Sequence, residues 1–304
     1  MIPKVFFWCF WWGATALGGI RAGVAKINIS PEESAAAGSH RALWAKALAL
    51  EDDHGNRAVL ISLDVASLPL DFAEWVAARI QPEYGLDRAR LLLNSSDTCG
   101  GPLVSGANRL RLAGQIVTLV GSALGDLRPA QLDFAPGVAV LRVLDRGGKP
   151  RALVLGYAGG GEALETEFPG AIALAFAPCG GDRTPSSAEV ARGVRTKMAP
   201  VSGQLRAVFQ MIDLPLAPSA RGLMRKVPFP VQVIRFEHGF TLIALGGEVA
   251  VDFALWARRE FPRESLLVAG FSNGVADGMP GHSTPEIEER VKDAVRAAWK
   301  RVLR

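Results

Sequence analysis

Apolar residues recur along this chain with two periods, and the period changes from segment to segment. Alternation by twos runs through AGVAKINI (Ala22 to Ile29), through Leu43 to Leu50 and through RAVLISLD (Arg57 to Asp64). The last two are joined by DDHGN, a hairpin-like turn, so they predict an antiparallel pair. Helical spacing follows in Phe72, Val76, Ala77 and Ile80, and an apolar run at Leu91 to Leu93 predicts a buried strand. A second helix is expected over Leu110 to Leu124, with Leu112, Ile116, Leu119 and Val120 on one face.

The second half repeats the style. Val138 to Leu144 and Ala152 to Tyr157 read as a hairpin around DRGGKP, and Ile172 to Ala177 as a strand. Ser187 to Met198 reads as a helix. Leu205 to Leu216, Val231 to Phe236, Phe240 to Leu245 and Ser265 to Phe271 read as strands, with a helix over Val251 to Phe261 before the last. A final helix opens on a capping box, Ser283 to Glu286, and buries Ile287, Val291, Val295 and Val302. Strands interleaved with helices imply an α/β fold of mixed sheets flanked by helices in layers.

Five of these strands stop at glycine-rich loops. The first is Arg90 to Pro102, RLLLNSSDTCGGP, where Gly100 and Gly101 let backbone approach a ligand beside Asp97 and Cys99. The others carry Gly159 with Glu162, Cys179 and Gly180 with Asp182 and Thr184, Glu248, and Asn273 with Asp277 and His282. If these ends share one side of the sheets, the loops line one crevice, the usual place for a site in such folds. The plainer reading is that glycines merely end strands.

Length and charge narrow the picture. The 304 residues suit one domain better than two, and no internal repeat is visible. The net charge of +4 is scattered. Arg221, Arg225 and Lys226, and the basic residues of the last helix (Lys292, Arg296, Lys300, Arg301, Arg304), lack the interleaved aromatics of a single-strand binder, so no nucleic-acid partner is expected. Lys4 precedes the apolar run Val5 to Ile20, which suits a secretory signal and is short for a membrane span. Residues 1–22 are therefore expected to be a signal peptide, cleaved near Ala14 and Ala16 or before Gly23, or an uncleaved anchor, and residues 23–304 a single domain. The protein is expected to be secreted or periplasmic, or anchored, with membrane contact only through this segment. Cys9 lies within the segment, leaving Cys99 and Cys179 to pair, to stay free, or to bind metal.

The order of motifs resembles the N-terminal domain family of neutral (alkaline, non-lysosomal) ceramidases. AGVAKINISPEE and SHRALWAKALALEDDHGNRAVLISLDV are similar to its opening strands. LLLNSSDTCGGP falls where the family has T-H-T-H-S-G-P, and ALAFAPCGGDRTP where it has Q-G-x-x-G-D-x-[NS]-P. LIALGGE falls where a strand ends P-G-E, and VAGFSNGVADGMP where the family has G-x-x-N-x-Y-x-x-Y-x-P. The likeness covers about Gly23 to His282 and implies the catalytic-domain fold without the β-sandwich domain that follows in full-length ceramidases.

Family members cleave the amide of ceramide with a zinc-activated water held by two histidines, a glutamate and a tyrosine. Carried onto this chain, the resemblance puts Asp97 and Cys99 at two histidine positions and Gly159 near the distal ligand histidine. Glu248 falls at the ligand glutamate, and Val275 and Gly278 replace the two tyrosines. Only Glu248 remains as a ligand, and no cofactor is expected unless Glu248 still holds zinc. The resemblance also brings the Cys99 and Cys179 loops to one cleft, where a disulfide would staple them. Two readings follow. One is an exported ceramidase-like protein whose hydrolase centre has decayed but whose cleft still takes a small-molecule or lipid-like ligand. The other is an amide or ester hydrolase, acting on an N-acyl substrate, with a remodelled metal or Asp/Cys site built on Asp97, Glu248 and either Cys99 or His282.

Overall fold

The computed structural model describes residues 19–31, 42–96, 104–157, 159–177, 185–196, 198–215, 226–248, 251–276 and 284–304. Among them, two mixed sheets stack face to face between two sets of helices, an α/β arrangement in four layers.

The first sheet holds β1 (Arg21–Asn28), β2 (Trp44–Glu51), β3 (Arg57–Leu63), β4 (Leu91–Ser95) and the two-residue β5 (Arg128–Pro129), ordered β4-β3-β2-β1-β5. Only β3 and β4 are parallel. Strand β2 is buried along all but its first residue, and its alternation by twos serves both faces. Ala45, Ala47 and Ala49 face helices α1 (Leu70–Tyr84) and α2 (Gly106–Gly125), while Leu48 and Leu50 face the second sheet. Small residues let a helix come close. At Gly23 of β1 a Cβ would lie 2.0 Å from the Ala123 carbonyl oxygen of α2, so only glycine fits.

The second sheet orders its strands β13-β12-β11-β10-β6-β7-β8-β9. These are β6 (Gln131–Ala135), β7 (Val140–Leu144), β8 (Pro150–Leu155), β9 (Ile172–Ala175), β10 (Ala199–Pro215), β11 (Lys226–His238), β12 (Thr241–Leu245) and β13 (Leu266–Ala269). Its two outermost pairs, β8 with β9 and β12 with β13, are parallel. Toward the first sheet it presents Phe134, Phe176, Phe236 and Phe240, all fully buried. Burial of each such side chain favours folding by about 1.5–3 kcal/mol. Its other face packs on α3 (Gly161–Glu167) and α4 (Ser187–Arg195) at one end and on α5 (Val251–Glu260) and α6 (Pro285–Val302) at the other.

Several expectations need correction. Strands β5 and β6 were not foreseen, because QLDFA is short and sits between prolines, although Leu132 and Phe134 alternate inward as a strand requires. Strands β10 and β11 run well beyond the expected limits. The cap of α6 is Thr284, whose hydroxyl accepts a hydrogen bond from the Ile287 N–H at 3.3 Å, while Ser283 lies outside the described residues. A complete capping box is found instead at α4, where Ser186 and Glu189 cap each other's backbone.

Candidate functional site

Three polar side chains stand in the buried face of the first sheet. Lys46 on β2, Ser62 on β3 and Asn94 on β4 are register neighbours, Lys46 opposite Ser62 and Ser62 beside Asn94. They are 7%, 3% and 0% exposed. Buried polar groups require partners, and the partner here is the outer edge of β9, whose backbone would otherwise be left unpaired. Lys46 Nζ donates to the Ala173 carbonyl (3.0 Å), Ser62 Oγ donates to the Ala175 carbonyl (2.6 Å), and the Ala177 N–H donates to Asn94 Oδ1 (3.0 Å). Each step along the row moves one strand in the first sheet and two residues in β9 and its exit. Strand β9 therefore runs across the first sheet, and this row fixes where it ends. Glu165 of α3 completes the row, pairing with Lys46 at 2.7 Å and accepting the Ala173 N–H at 3.0 Å.

The same row gathers the strand ends. Asn94 Nδ2 donates to the Gly270 carbonyl (2.7 Å) and to Ser272 Oγ (2.9 Å), just past β13. The Gly270 N–H donates to the Ala177 carbonyl at 3.1 Å, so β9 and β13, the opposite edges of an eight-stranded sheet, meet here. The Phe271 N–H donates to Gly247 and the Ser272 N–H to Leu245, joining the exit of β12. The Phe176 N–H donates to Leu155 at the exit of β8. The exits of β4, β8, β9, β12 and β13 thus form one hydrogen-bonded cluster, and the glycine-rich segments leave from it.

Of the residues singled out in the sequence, Asp97, Cys99, Gly100, Gly101, Cys179, Gly180, Asp182, Thr184, Asp277 and His282 lie outside the described residues. The points from which their loops depart do not. Asn94 and Ala177, which are bonded directly, precede the Asp97–Cys99 and Cys179–Asp182 segments. Glu248 is exposed, directly after the Gly247 carbonyl that Phe271 binds. Gly159 adopts φ +83°, with open space where a Cβ would stand. Asn273 is fully buried with φ +62°. Its Oδ1 accepts from Arg88 Nη1 (3.1 Å) and the Leu93 N–H (3.3 Å), and its Nδ2 donates to Gln232 Oε1 (2.8 Å), so the side chain pins the β13 exit onto β4. Val275 is held by backbone bonds to Leu68 and Leu70.

Sequence reasoning missed the row itself. Lys46, Ser62 and Asn94 each interrupt an otherwise apolar strand, and that repeated interruption was the available signal. It also missed Tyr157, 5% exposed at the β8 exit, whose hydroxyl has no hydrogen-bond partner among the described residues and whose pKa is pushed up by burial.

No family model matches the sequence, and no curated protein matches it. Solved structures do. A crystal structure of neutral ceramidase from Pseudomonas aeruginosa superposes with a TM-score of 0.66 at 15% identity, covering 85% of this chain and 68% of that one. A ceramidase complexed with C2 gives a TM-score of 0.66 at 14% identity, covering 85% and 69%. The chain has a ceramidase-like fold. Within that ceramidase-like fold, the positions that the sequence resemblance pairs with zinc ligands contain one carboxylate among the described residues, Glu248. A four-ligand zinc site needs nitrogen, oxygen or sulfur at each of its positions. Gly159 and Val275 offer none of these from a side chain. Among the described residues no three His, Cys, Asp or Glu side chains gather as ligands.

Proposed function

We propose that this protein is an exported, ceramidase-like binding protein that keeps the family's cleft and has lost its amide hydrolysis. The observation that carries the reading is Gly159. It stands near the place of a ligand histidine and takes a left-handed backbone, φ +83°, in which a histidine would be strained. The cleft is where the glycine-rich segments leave the strand-end cluster, and its ligand is a small-molecule or lipid-like compound. Export rests on the apolar run Val5 to Ile20. Arg21 pairs with Glu51 at 2.7 Å and Ala22 is fully buried in β1. Cleavage before Gly23 would remove both, which favours cleavage near Ala14 and Ala16, or retention of the segment as an anchor.

A second reading is a hydrolase for an N-acyl substrate with a remodelled site on Asp97, Cys99 and Glu248. It is favoured by the convergence of the points from which those residues' segments depart. One experiment separates the two: metal analysis and N-acyl amide turnover of the purified protein beside Glu248→Ala. The binding-protein reading expects no stoichiometric zinc and no turnover in either. Zinc at one equivalent, or turnover, lost on substitution of Glu248 would overturn it.

A further inference from the structure

The far ends of β8 and β9, away from the glycine segments, border a second concavity. A cavity of about 500 Å³ is lined by Arg128, Asp145, Arg146, Lys149, Arg151 and Gly170, among others. The sequence DRGGKP builds one wall. Asp145 Oδ1 accepts the N–H groups of Gly147 and Lys149, both at 2.8 Å, so this carboxylate is committed to the turn. Arg146 and Lys149 are exposed on that turn with no ion pair among the described residues. Lys149 Nζ stands beside Gly170, 3.7 Å from where a Cβ would lie. The opposite wall is Arg151, mostly buried, and Arg128, mostly exposed, which share the single carboxylate of Asp126. Four cations thus face one concavity against two carboxylates, each already engaged. Such an excess in a concave, partly dry setting raises the local potential, and guanidinium groups suit the paired oxygens of a phosphate.

The chain's course says where that phosphate comes from. Arg151 Nη1 donates to the Ala22 carbonyl at 2.7 Å, Arg128 is the register partner of Ala22, and the Ala130 N–H donates to the Ile20 carbonyl at 2.9 Å. Ile20 ends the apolar run that begins at Val5. The cationic cavity therefore sits where a membrane-directed segment joins the fold, at the level of the headgroups when that segment enters a bilayer. We infer that this cavity binds the phosphate of an anionic lipid headgroup and holds the domain against the membrane. The inference rests on reading the N-terminal run as membrane-directed, and it adds a contact beyond that run. It is independent of whether the cleft is catalytic.

The test uses the full chain and vesicles of phosphatidylcholine, with and without about 30% phosphatidylglycerol. The apolar run contributes equally to both vesicles, so the cavity is read as the difference between them. Wild type is expected to prefer anionic vesicles by on the order of twentyfold, from two cations at the surface. The preference should fall as salt rises and disappear in Arg146→Glu/Lys149→Glu, whose exposed turn positions leave the core intact. A control, Lys300→Glu/Arg301→Glu on α6, should keep it. Equal loss in the control, retention in the cavity variant, or no preference in wild type would each overturn the inference. So would calorimetric binding of inorganic phosphate, lost in the cavity variant, without any vesicle preference, because the ligand would then be a soluble phosphate.

Discussion

Strands β8 and β9 run between two differently built ends. At their exits, buried neutral groups meet one another, Ser62 on the Ala175 carbonyl and Asn94 on the Ala177 N–H and the Gly270 carbonyl, and the row continues along β9 into the buried Lys46–Glu165 pair. At their entrances, charge is left over, and Arg146 and Lys149 are exposed with no ion pair among the described residues. The contrast teaches which end ties the strands together and which carries charge at the surface. Interactions at the exits act in a dry interior where an orphaned group is costly. Those at the entrances act in water and are screened.

That contrast is most directly broken at Asn94. Asn94→Leu strands the Ala177 N–H in the interior and leaves the Gly270 carbonyl with only the Ser272 hydroxyl as donor, and should lower stability by about 3 kcal/mol, from one orphan at about 1–3 kcal/mol and lost hydrogen bonds at about 1 kcal/mol each, read from urea denaturation. A loss below 1 kcal/mol would mean that water reaches the cluster and that the exits are not dry. Lys46→Met comes next. It breaks the pair with Glu165, whose side chain is 18% exposed, and should cost about 2–3 kcal/mol, somewhat under the 3–5 kcal/mol of a fully buried pair because some solvent remains. The double variant Lys46→Met/Glu165→Gln should recover part of this loss, and the cycle gives the coupling.

Acid probes the same pair. Burial alone would raise the Glu165 pKa, but hydrogen bonds from Lys46 and the Ala173 N–H, with the charges of Lys46 and Lys26, outweigh it and hold the carboxyl below its ordinary value of 4.5. A pKa lowered by folding contributes stability that is fully present above the unfolded value and is lost as pH falls through the folded one. Urea midpoints should therefore hold from pH 7 to about 5 and fall below about pH 4.5, less steeply in Glu165→Gln. An unchanged slope in that variant would remove Glu165 from the account. The smallest effect is expected at Tyr157. Tyr157→Phe deletes a buried hydroxyl that has no partner among the described residues and should leave stability unchanged or raise it by up to about 1 kcal/mol. A clear loss would show that the hydroxyl is bonded in solution.

The layers were legible because period two and period 3.6 are local signals. WAKALALE announces a strand, and Phe72, Val76, Ala77 and Ile80 announce a helix whatever lies around them. What crosses what is not local. Nothing in WAKALALE says that Lys46 meets a carbonyl 127 residues away, and nothing in LLLNSS says that Asn94 is fully buried. The glycine-rich segments stood out in the sequence, whereas the side chains that position them passed as ordinary strand residues. QLDFA failed for a different reason, since five residues between prolines carry too little periodicity to separate from a loop. For the site residues themselves, the sequence supplied identities and the structure supplies the points from which most of their segments depart.

The seam between β9 and β13 also bears on the order in which the molecule is assembled. Asn94 binds backbone 83 residues later at Ala177 and 176 residues later at Gly270. Loop closure over such distances precedes the contacts that reward it. During synthesis, β2 and β3 are able to pair as soon as they emerge, while the amide of Asn94 waits for most of the chain. The strand-end cluster is thus completed only when the two halves of the sequence have found each other, so it cannot exist on a half-made protein.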